Sequence, residues 1–300
     1  MYDIIIAGAG TAGLSAAVYG ARAGKRVLVL EKEVYGGQIM SASVVENYPG
    51  IRKISGYEFA QGLYEQAMEQ GAEIKYEKVQ KIQDSESYKT VHTSLSAYDS
   101  RTVILASGAK NRHLQVAREE ELTGKGISYC ATCDGAFYRG KDVAVVGGGN
   151  TALEDALFLS GYCRKVYLIH RRDQFRGEKR LQDSLREKEH VIWVLESHVA
   201  ALNGTGYLES VTIEQEPDKG KKELAVSALF IAIGQEPDNQ PFASLVELDA
   251  HGYIKAAEDC RTSAEGIFAA GDCRTKTVRQ LTTAAADGAA AALAACAYIG

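Results

Sequence analysis

The sequence predicts an α/β fold of two similar lobes, with the second lobe inserted into the first. A glycine-rich turn lies between an apolar strand and a helix at residues 8–13, and the same arrangement returns at residues 147–152. A third apolar strand, ending in Gly-Asp at residues 271–272, follows both copies and indicates a return to the first lobe. Three hundred residues also exceed the length that one compact core usually spans.

The first copy consists of a strand, a turn, a helix and a second strand that ends in an acid. Residues 3–7 are apolar, the turn contains Gly8, Gly10 and Gly13, and the second strand ends at Glu31. Gly8 permits the tight turn, Gly10 lets a pyrophosphate approach the backbone, and Gly13 allows close helix–strand packing. Glu31 can accept hydrogen bonds from ribose hydroxyls. The pattern favours a Rossmann-like dinucleotide-binding domain over a merely structural turn.

The second copy differs from the first at the end of its second strand. In place of a carboxylate, that strand ends at His170, Arg171 and Arg172, with Arg176 shortly after. Guanidinium groups suit a ribose 2′-phosphate, because they form charge-assisted and often bidentate hydrogen bonds. The second site is therefore expected to prefer NADPH over NADH. The alternative is a solvated basic segment at the start of a helix.

Between the two copies lies a Cys-x-x-Cys pair, Cys130 and Cys133, followed directly by Asp134. In a reducing cytosol such a disulfide is usually catalytic, and an adjacent acid can take up or return a proton. Half of a zinc site is the alternative. Zinc needs four ligands, and the other cysteines stand singly in the sequence, at positions 163, 260, 273 and 296.

Composition excludes several classes of function. A net charge of −5 provides no basic field for nucleic acid or an anionic membrane. The sequence shows no secretory signal, and no apolar run is expected to reach the ~18 residues of a membrane span. A soluble cytoplasmic protein is therefore expected.

The remaining segments predict a loop, a helix and two crossings between the lobes. Gly36, Gly37 and Gln38 begin a long polar loop, and Phe59, Leu63 and Met68 have helical spacing typical of a core-facing stripe. A polar stretch near residues 111–118 and prolines near residues 238–246 indicate the crossings, and a long alanine-rich helix ends the sequence. The expected domains are residues 1–112, 113–242 and 243–300.

Seven motifs of the sequence match those of one family. GAGTAG, GGQ, VENYPG, CATCDG, GGGNTA, HRRDQFR and GDC…RQ occur in this order. With them the chain resembles the low-molecular-weight bacterial thioredoxin reductases, flavoproteins that pass electrons from NADPH through FAD and a Cys-x-x-Cys pair to thioredoxin. The resemblance covers nearly all of the sequence. It implies FAD and NADPH as cofactors, two domains of the three-layer ββα type and a homodimer.

The resemblance also implies roles for individual residues. The positions that match FAD contacts, in residues 1–112 and 243–300, are Gly8, Gly10, Ala12, Gly13, Glu31, Gly37, Gln38, Asn47, Asp272, Arg279 and Gln280. The positions that match NADPH contacts, in residues 113–242, are Gly149, Asn150, Thr151, His170, Arg171, Arg172 and Arg176. Following the family, Cys133 faces the flavin, Cys130 attacks the disulfide of the partner, and Asp134 handles the sulfur protons.

The order of motifs places the Cys-x-x-Cys pair in the same lobe as the NADPH fingerprint, although both must meet one flavin. A rotation of the second lobe is therefore expected. Two departures from the family pattern concern the partner: Ala136 replaces an aromatic residue before Phe137, and Lys125 replaces a residue that is often arginine. A glutaredoxin-like protein in place of thioredoxin, a ferredoxin-fed reductase and an O₂-dependent oxidase are the alternatives, and HRRDQFR argues against ferredoxin.

Overall fold

The structure is a computed structural model that describes residues 1–42, 44–85, 87–215 and 220–300. The chain divides into two compact units. Unit 1 comprises residues Met1–Lys110 and Glu236–Gly300, and unit 2 is the continuous segment Asn111–Gln235. The second unit is thus inserted into the first.

The described residues form seventeen strands, seven α-helices and four short 3₁₀ helices. The strands are β1 (Tyr2–Ala7), β2 (Val27–Glu31), β3 (Glu73–Tyr76), β4 (Val79–Asp84), β5 (Lys89–Thr93), β6 (Ala97–Leu105), β7 (Ala109–Asn111), β8 (Ile127–Ser128), β9 (Asp142–Val146), β10 (Lys165–Ile169), β11 (Val191–Val194), β12 (Ser197–Asn203), β13 (Ser210–Gln215), β14 (Lys221–Ala225), β15 (Ala228–Ile231), β16 (Gln235–Pro237) and β17 (Ile267–Ala269). The α-helices are α1 (Thr11–Arg22), α2 (Gly56–Glu69), α3 (Glu119–Leu122), α4 (Ala131–Asp134), α5 (Asn150–Ser160), α6 (Lys179–Arg186) and α7 (Leu281–Ile299). The 3₁₀ helices span Gly37–Ser41, Gly135–Tyr138, Gln240–Phe242 and Gly271–Cys273.

Unit 1 is built on a seven-stranded sheet in which β3, β2, β1, β6 and β17 run parallel, while β5 and β4 continue it antiparallel. Alternate residues of β1 point to opposite faces of this sheet. Ile4 and Ile6 join the core that contains α1 and α7, whereas Ile5 joins the core that contains Ile82 of β4 and Val91 of β5. Both faces of the sheet are therefore buried at β1, and the glycine-rich turn lies at the carboxyl end of this strand.

Unit 2 repeats this plan with a parallel five-stranded sheet in the order β11-β10-β9-β15-β8. Val143 and Val145 of β9 pack with Leu153 of α5 on one face. Ala144 packs on the other face, in a core shared with Val211 of the antiparallel sheet β12-β13-β14. The predicted α/β fold with two Rossmann-like units is confirmed.

The second crossing occurs earlier than the prolines indicated. Residues 236–242, which were expected to close the inserted lobe, lie with unit 1. Long-range contacts explain the difference: Asp238 forms an ion pair with Lys32 at 2.6 Å, and Asn239 accepts a hydrogen bond from Ser107 at 2.8 Å. Phe242 is buried in the unit 1 core.

Two expectations about helices need correction. Helix α7, with 19 residues, is long and apolar enough by length and composition to cross a membrane, contrary to the expectation that no run approaches that length. One face of α7 packs in the unit 1 core, where Ala291, Ala292 and Ala295 are fully buried and Ser15 of α1 donates a hydrogen bond to the Ala285 carbonyl at 2.7 Å. In α2, Met68 is exposed and is not part of the core stripe.

Candidate active site

The first glycine-rich turn is shaped by close packing at two glycines and by open space at the third. A Cβ on Gly8, whose φ is +112°, would lie 2.3 Å from the Ala106 carbonyl oxygen, and one on Gly13 would lie 1.9 Å from the Gly8 oxygen. A Cβ on Gly10, the residue before α1, would meet nothing closer than 3.9 Å. Space above the helix N-terminus is what a pyrophosphate requires.

Glu31 lies at the end of β2 and is buried, with 8% of its surface exposed. Its Oε2 accepts a hydrogen bond from the Ala9 amide at 2.7 Å, and its Oε1 accepts from the Lys32 and Glu33 amides at 2.8 and 3.1 Å. A carboxylate has about four acceptor positions, so one remains for a ribose hydroxyl. The sequence predicted the ligand role but not the structural one.

Other predicted residues of unit 1 lie around the same turn. Gly36 pairs with Gly10 as an isolated bridge, and a Cβ on Gly37 would lie 3.4 Å from the Gly10 Cα. Gln38 donates a hydrogen bond to the Ala109 carbonyl. Ala12 packs against Gly271, where a Cβ would lie 2.8 Å from that of Ala12. The structure therefore brings together turns that are up to 260 residues apart in sequence.

The return segment contributes polar side chains around the same turn, two of which have a buried atom without a hydrogen-bond partner among the described residues. Asn47 donates to Gln280 Oε1 at 3.2 Å, and Gln280 caps the N-terminus of α7. Arg279 stacks 4.3 Å above the ring of Tyr253. Asp272 Oδ1 and Arg279 Nε are buried and find no hydrogen-bond partner in the part of the chain that the structure describes. Burial raises the pKa of Asp272, against the opposing effect of nearby cations. Such buried polar atoms fit a polar ligand such as the ribityl–pyrophosphate portion of FAD.

The second glycine-rich turn repeats the open position of the first. Gly149 precedes α5, and a Cβ there would meet nothing within 4 Å. Asn150 and Glu178 exchange two hydrogen bonds: Asn150 Nδ2 donates to Glu178 Oε1 at 3.1 Å, and the Glu178 amide donates to Asn150 Oδ1 at 2.8 Å. Thr151, in the first turn of α5, is exposed.

The basic segment after β10 separates into one buried histidine and three exposed arginines. His170 is 6% exposed, its ring fills the space where a Gly148 Cβ would stand, and its Nε2 lies 3.0 Å from the Gln174 carbonyl. Burial lowers the pKa of His170, so the ring is neutral at pH 7. His170 thus shapes the loop and supplies no charge. Arg171, Arg172 and Arg176 are exposed, and none has an ion-pair partner among the described residues. These three guanidinium groups can therefore bind a phosphate.

The Cys130–Cys133 disulfide closes the first turn of α4, with the two Cα atoms 5.3 Å apart. Asp134 Oδ2 accepts a hydrogen bond from the Ser128 hydroxyl at 2.7 Å, and the same hydroxyl oxygen accepts one from the Cys130 amide at 3.0 Å. Burial raises the pKa of Asp134, and the bond from Ser128 opposes the rise. The acid beside the disulfide therefore retains a proton to higher pH than a solvated aspartate would.

Sequence reasoning missed the residues that support this segment. Besides Ser128, the buried Glu119 accepts a hydrogen bond from the Tyr129 hydroxyl at 2.7 Å and from the Leu114 and Gln115 amides at 3.0 Å each. It thereby ties the entry into unit 2 to the residue before Cys130. Ser128 lies two residues before Cys130 and could have been singled out as a hydroxyl near a thiol. A run of three glutamates gave no reason to select Glu119.

Comparison with known proteins identifies the family. A family model described as pyridine nucleotide-disulphide oxidoreductase matches residues 2–288. The chain belongs to this family. A thioredoxin reductase of Treponema pallidum is 43% identical over 299 residues, covering 99% of this chain and 97% of the relative. A protein of Clostridium pasteurianum named "34.2 kDa protein in rubredoxin operon" is 42% identical, with the same coverage of both chains.

Solved structures agree with this assignment. The crystal structure of thioredoxin reductase from Streptococcus pyogenes matches with a TM-score of 0.95 at 41% identity, covering 99% of this chain and 98% of that one. Membership of the pyridine nucleotide-disulphide oxidoreductases, together with these relatives, implies FAD and NADPH as the cofactors of a flavoprotein oxidoreductase. Asp272 Oδ1 and Arg279 Nε, which are buried without a hydrogen-bond partner in the described part of the chain, and the exposed arginines of unit 2 fit that pair of cofactors.

Proposed function

We propose that the protein is an NADPH-dependent thioredoxin-disulfide reductase, which moves two electrons from NADPH through FAD to the Cys130–Cys133 disulfide and on to thioredoxin. The observation that carries the proposal is a disulfide with an adjacent, partly buried acid in the same unit as a second dinucleotide fingerprint. The similarity to thioredoxin reductases over 99% of the chain supports it. When bound, FAD supplies the two-electron chemistry that links the nicotinamide to the disulfide.

Unit 1 is proposed to bind FAD. The open position at Gly10 and the adjacent Gly37 would accept the pyrophosphate, and Glu31 would bind the adenosine ribose. Asp272 Oδ1, which has no hydrogen-bond partner among the described residues, would bind the ribityl chain. The other positions proposed for FAD are Gly8, Ala12, Gly13, Gln38, Asn47, Arg279 and Gln280. Of these, Gly8, Ala12 and Gly13 act through packing, because a larger residue would displace the turn.

Unit 2 is proposed to bind NADPH. Gly149, Asn150 and Thr151 would hold the pyrophosphate at the N-terminus of α5. The exposed guanidinium groups of Arg171, Arg172 and Arg176 would bind the 2′-phosphate, with His170 as the neutral support of their loop.

The chemistry of the partner disulfide follows thiol–disulfide exchange. The thiolate of Cys130 attacks one sulfur of the partner, and the other sulfur of the partner leaves as a thiolate that takes up a proton. The thiolate of Cys133 then attacks Cys130 Sγ, which re-forms the internal disulfide and releases the second thiol of the partner. Asp134, which its burial keeps protonated to higher pH, would donate and recover the protons of these sulfurs.

Anaerobic stopped-flow mixing tests the proposal. NADPH should bleach the flavin absorbance, NADH should do so much more slowly, and added oxidised thioredoxin should restore it. Absence of bleaching by NADPH would contradict the proposal. Restoration by O₂ but not by thioredoxin would instead indicate a disulfide-forming oxidase.

A different redoxin partner is the second candidate function. It is supported by two exposed positions near the disulfide that depart from the family pattern, Ala136 and Lys125. Phe137, which is 44% exposed, leaves one aromatic contact for docking. Thioredoxin and a glutaredoxin-like protein should be compared at equal concentration in the same stopped-flow experiment, and the faster reoxidant is the partner class.

We also infer a homodimer in the cytoplasm and a rotation of unit 2 during turnover, all three following the resemblance. Sedimentation as a monomer of 32.4 kDa at micromolar concentration would contradict the dimer. A turnover rate independent of solvent viscosity would argue against a rate-limiting rotation.

A further inference from the structure

Asp287 of α7 has a buried carboxylate that contacts the Gly271–Cys273 turn. Its Oδ2 accepts hydrogen bonds from the Gly271 amide at 3.0 Å, from Arg274 Nε at 2.8 Å and from Lys276 Nζ at 2.9 Å. Its Oδ1 accepts from Arg274 Nη2 at 2.7 Å. This carboxylate therefore accepts four hydrogen bonds from the protein, three of them at Oδ2.

Both cations of this cluster are as buried as the acid. The side chains of Arg274, Lys276 and Asp287 are exposed by 10%, 7% and 9%. Although burial alone would raise it, the bonds from Arg274 and Lys276 hold the pKa of Asp287 below its ordinary value, so the carboxylate is ionised at pH 7. The carboxylate of Asp287 thus faces the two cations Arg274 and Lys276, and the cluster has a net charge of +1.

The turn that this cluster holds carries Asp272, whose Oδ1 is buried and has no hydrogen-bond partner in the described residues. Asp272 is the acid that the proposed function assigns to FAD. The segment from Gly271 to Asp287 carries three basic and two acidic side chains, so it keeps a net positive charge at the N-terminal end of α7 even with both acids ionised. The electrostatic potential of such a site depends on each buried charge, because little solvent screens it.

We propose that Asp287 is a positioning residue that orients Asp272 toward the flavin and, with Lys276, sets the net charge that the flavin senses. This inference rests on the proposed binding of FAD by unit 1. A buried ion pair is often no more stabilising than apolar residues of similar size, so stability alone does not account for the cluster. Removal of the negative charge should favour electrons on the flavin, whereas removal of a cation should disfavour them.

The test is a redox titration of the FAD-loaded protein in three variants. Asp287→Asn should shift the flavin midpoint potential to a more positive value, and Lys276→Met should shift it to a more negative one. Each change should alter the ratio of oxidised to reduced flavin at a fixed potential on the order of tenfold. The double variant, which restores the net charge, should return close to the potential of the unchanged protein.

If Asp287 had a purely structural role, its replacement would change FAD affinity and thermal stability, but not the flavin potential in the predicted direction. In that case both single variants would weaken FAD binding to the apoprotein and lower its melting temperature, but their potentials would not move in opposite directions, and the proposal would be overturned. If Asp287→Asn does not fold, Lys276→Met alone decides, because an unchanged or more positive potential contradicts the charge argument. Failure of the unchanged protein to bind FAD would refute the proposed function itself.

Discussion

At the scale of single residues, the cysteine pair and the groups next to it carry the proposed chemistry. The Ser128 hydroxyl contacts both the Asp134 carboxylate and the Cys130 amide, so one side chain links the acid to the disulfide. The pKa of Asp134 is raised by its burial and not by a charged neighbour. Roles for the two sulfurs and for this acid lead to separable predictions.

Replacement of each cysteine should separate the two sulfurs. Cys130→Ser should abolish turnover with thioredoxin, because the attacking thiolate is lost. Cys133→Ser should leave Cys130 able to form a stable mixed disulfide with the partner, which mass spectrometry would detect. Full turnover by Cys130→Ser would show that the roles are reversed.

Asp134→Asn should slow turnover and stabilise the protein at pH 7. The slowing is expected to be ~10²–10⁴-fold, the usual contribution of a general acid. Since burial raises the pKa of Asp134 above 3.8, the folded state binds the proton more tightly, and the protein loses stability as the pH rises from about that value through the raised pKa. The variant lacks this loss. Melting curves at several pH values check the prediction, and equal stability of both proteins at pH 7 would contradict it.

Arg172→Gln should weaken NADPH binding without affecting NADH. The guanidinium group of Arg172 is exposed and unpaired in the described residues, so the substitution breaks no ion pair of the protein. KM for NADPH should rise roughly 10-fold, corresponding to the loss of one charge-assisted contact. Arg164→Gln is the matched control, because Arg164 is engaged by Asp142 at 2.7 Å and should not affect either nucleotide. Equal loss of both nucleotides in Arg172→Gln would argue against a 2′-phosphate contact.

At the scale of elements, two helices of unit 1 depend on how closely their backbones approach. Gly288 of α7 faces α1, where an added Cβ would lie 2.2 Å from the Ala12 carbonyl oxygen and 2.9 Å from the Ala16 amide. Gly62 of α2 is exposed, and an added Cβ would meet nothing within 4 Å. The two glycines share a helical setting and differ only in their surroundings.

Alanine at these two glycines should have opposite effects on stability. Gly288→Ala should lower the free energy of unfolding by about 1–3 kcal/mol, because α1 and α7 must separate. Gly62→Ala should raise it by up to ~1 kcal/mol, because alanine restricts the unfolded chain and favours the helix. Urea denaturation of both variants measures the difference. A stabilised Gly288→Ala would show that the helices are not in close contact there.

The sequence predicted local patterns better than long-range partners. Gly8, Gly13 and the strand ending at Glu31 follow from spacing, because a fixed geometry of strand, turn and helix permits few residue types. By contrast, Asp287 bonds to Gly271 and Asn239 bonds to Ser107, and nothing in the sequence links these pairs. The sequence grouped His170 with the arginines as a position matching NADPH contacts, and only its burial beside Gly148 indicates a neutral ring that supports the loop.

At the scale of the whole molecule, unit 2 is inserted into unit 1 at a single place, where the two ends of the inserted segment are adjacent. The chain leaves unit 1 in β7 and returns in β16, and these two short strands pair with each other. The Arg112 amide also donates a hydrogen bond to the Gly234 carbonyl at 3.1 Å. Paired strands lie ≈ 4.7–4.9 Å apart, so the two ends of the insertion are neighbours.

Excision of the insertion should leave a folded unit 1. A protein in which residues 112–234 are replaced by a four-residue Gly-Ser linker should retain both hydrophobic cores of unit 1 and bind FAD, since every position proposed for FAD lies in that unit. Flavin retention on gel filtration and a cooperative melting transition check this. A fragment that folds but does not bind FAD would show that unit 1 alone is not sufficient to bind that cofactor.

The pairing of α1 with α7 has a consequence for biosynthesis. The hydrogen bond from Ser15 to Ala285 spans 270 residues, so the apolar face of α1 emerges from the ribosome long before its partner exists. Unit 2 is continuous and can fold as soon as it has been translated, while the amino-terminal half of unit 1 remains incomplete. At about 5–20 residues per second, this interval lasts on the order of 10 seconds or more. During this interval the nascent chain exposes the incomplete sheet of unit 1. Chaperone binding or aggregation at this stage would determine the yield of folded protein.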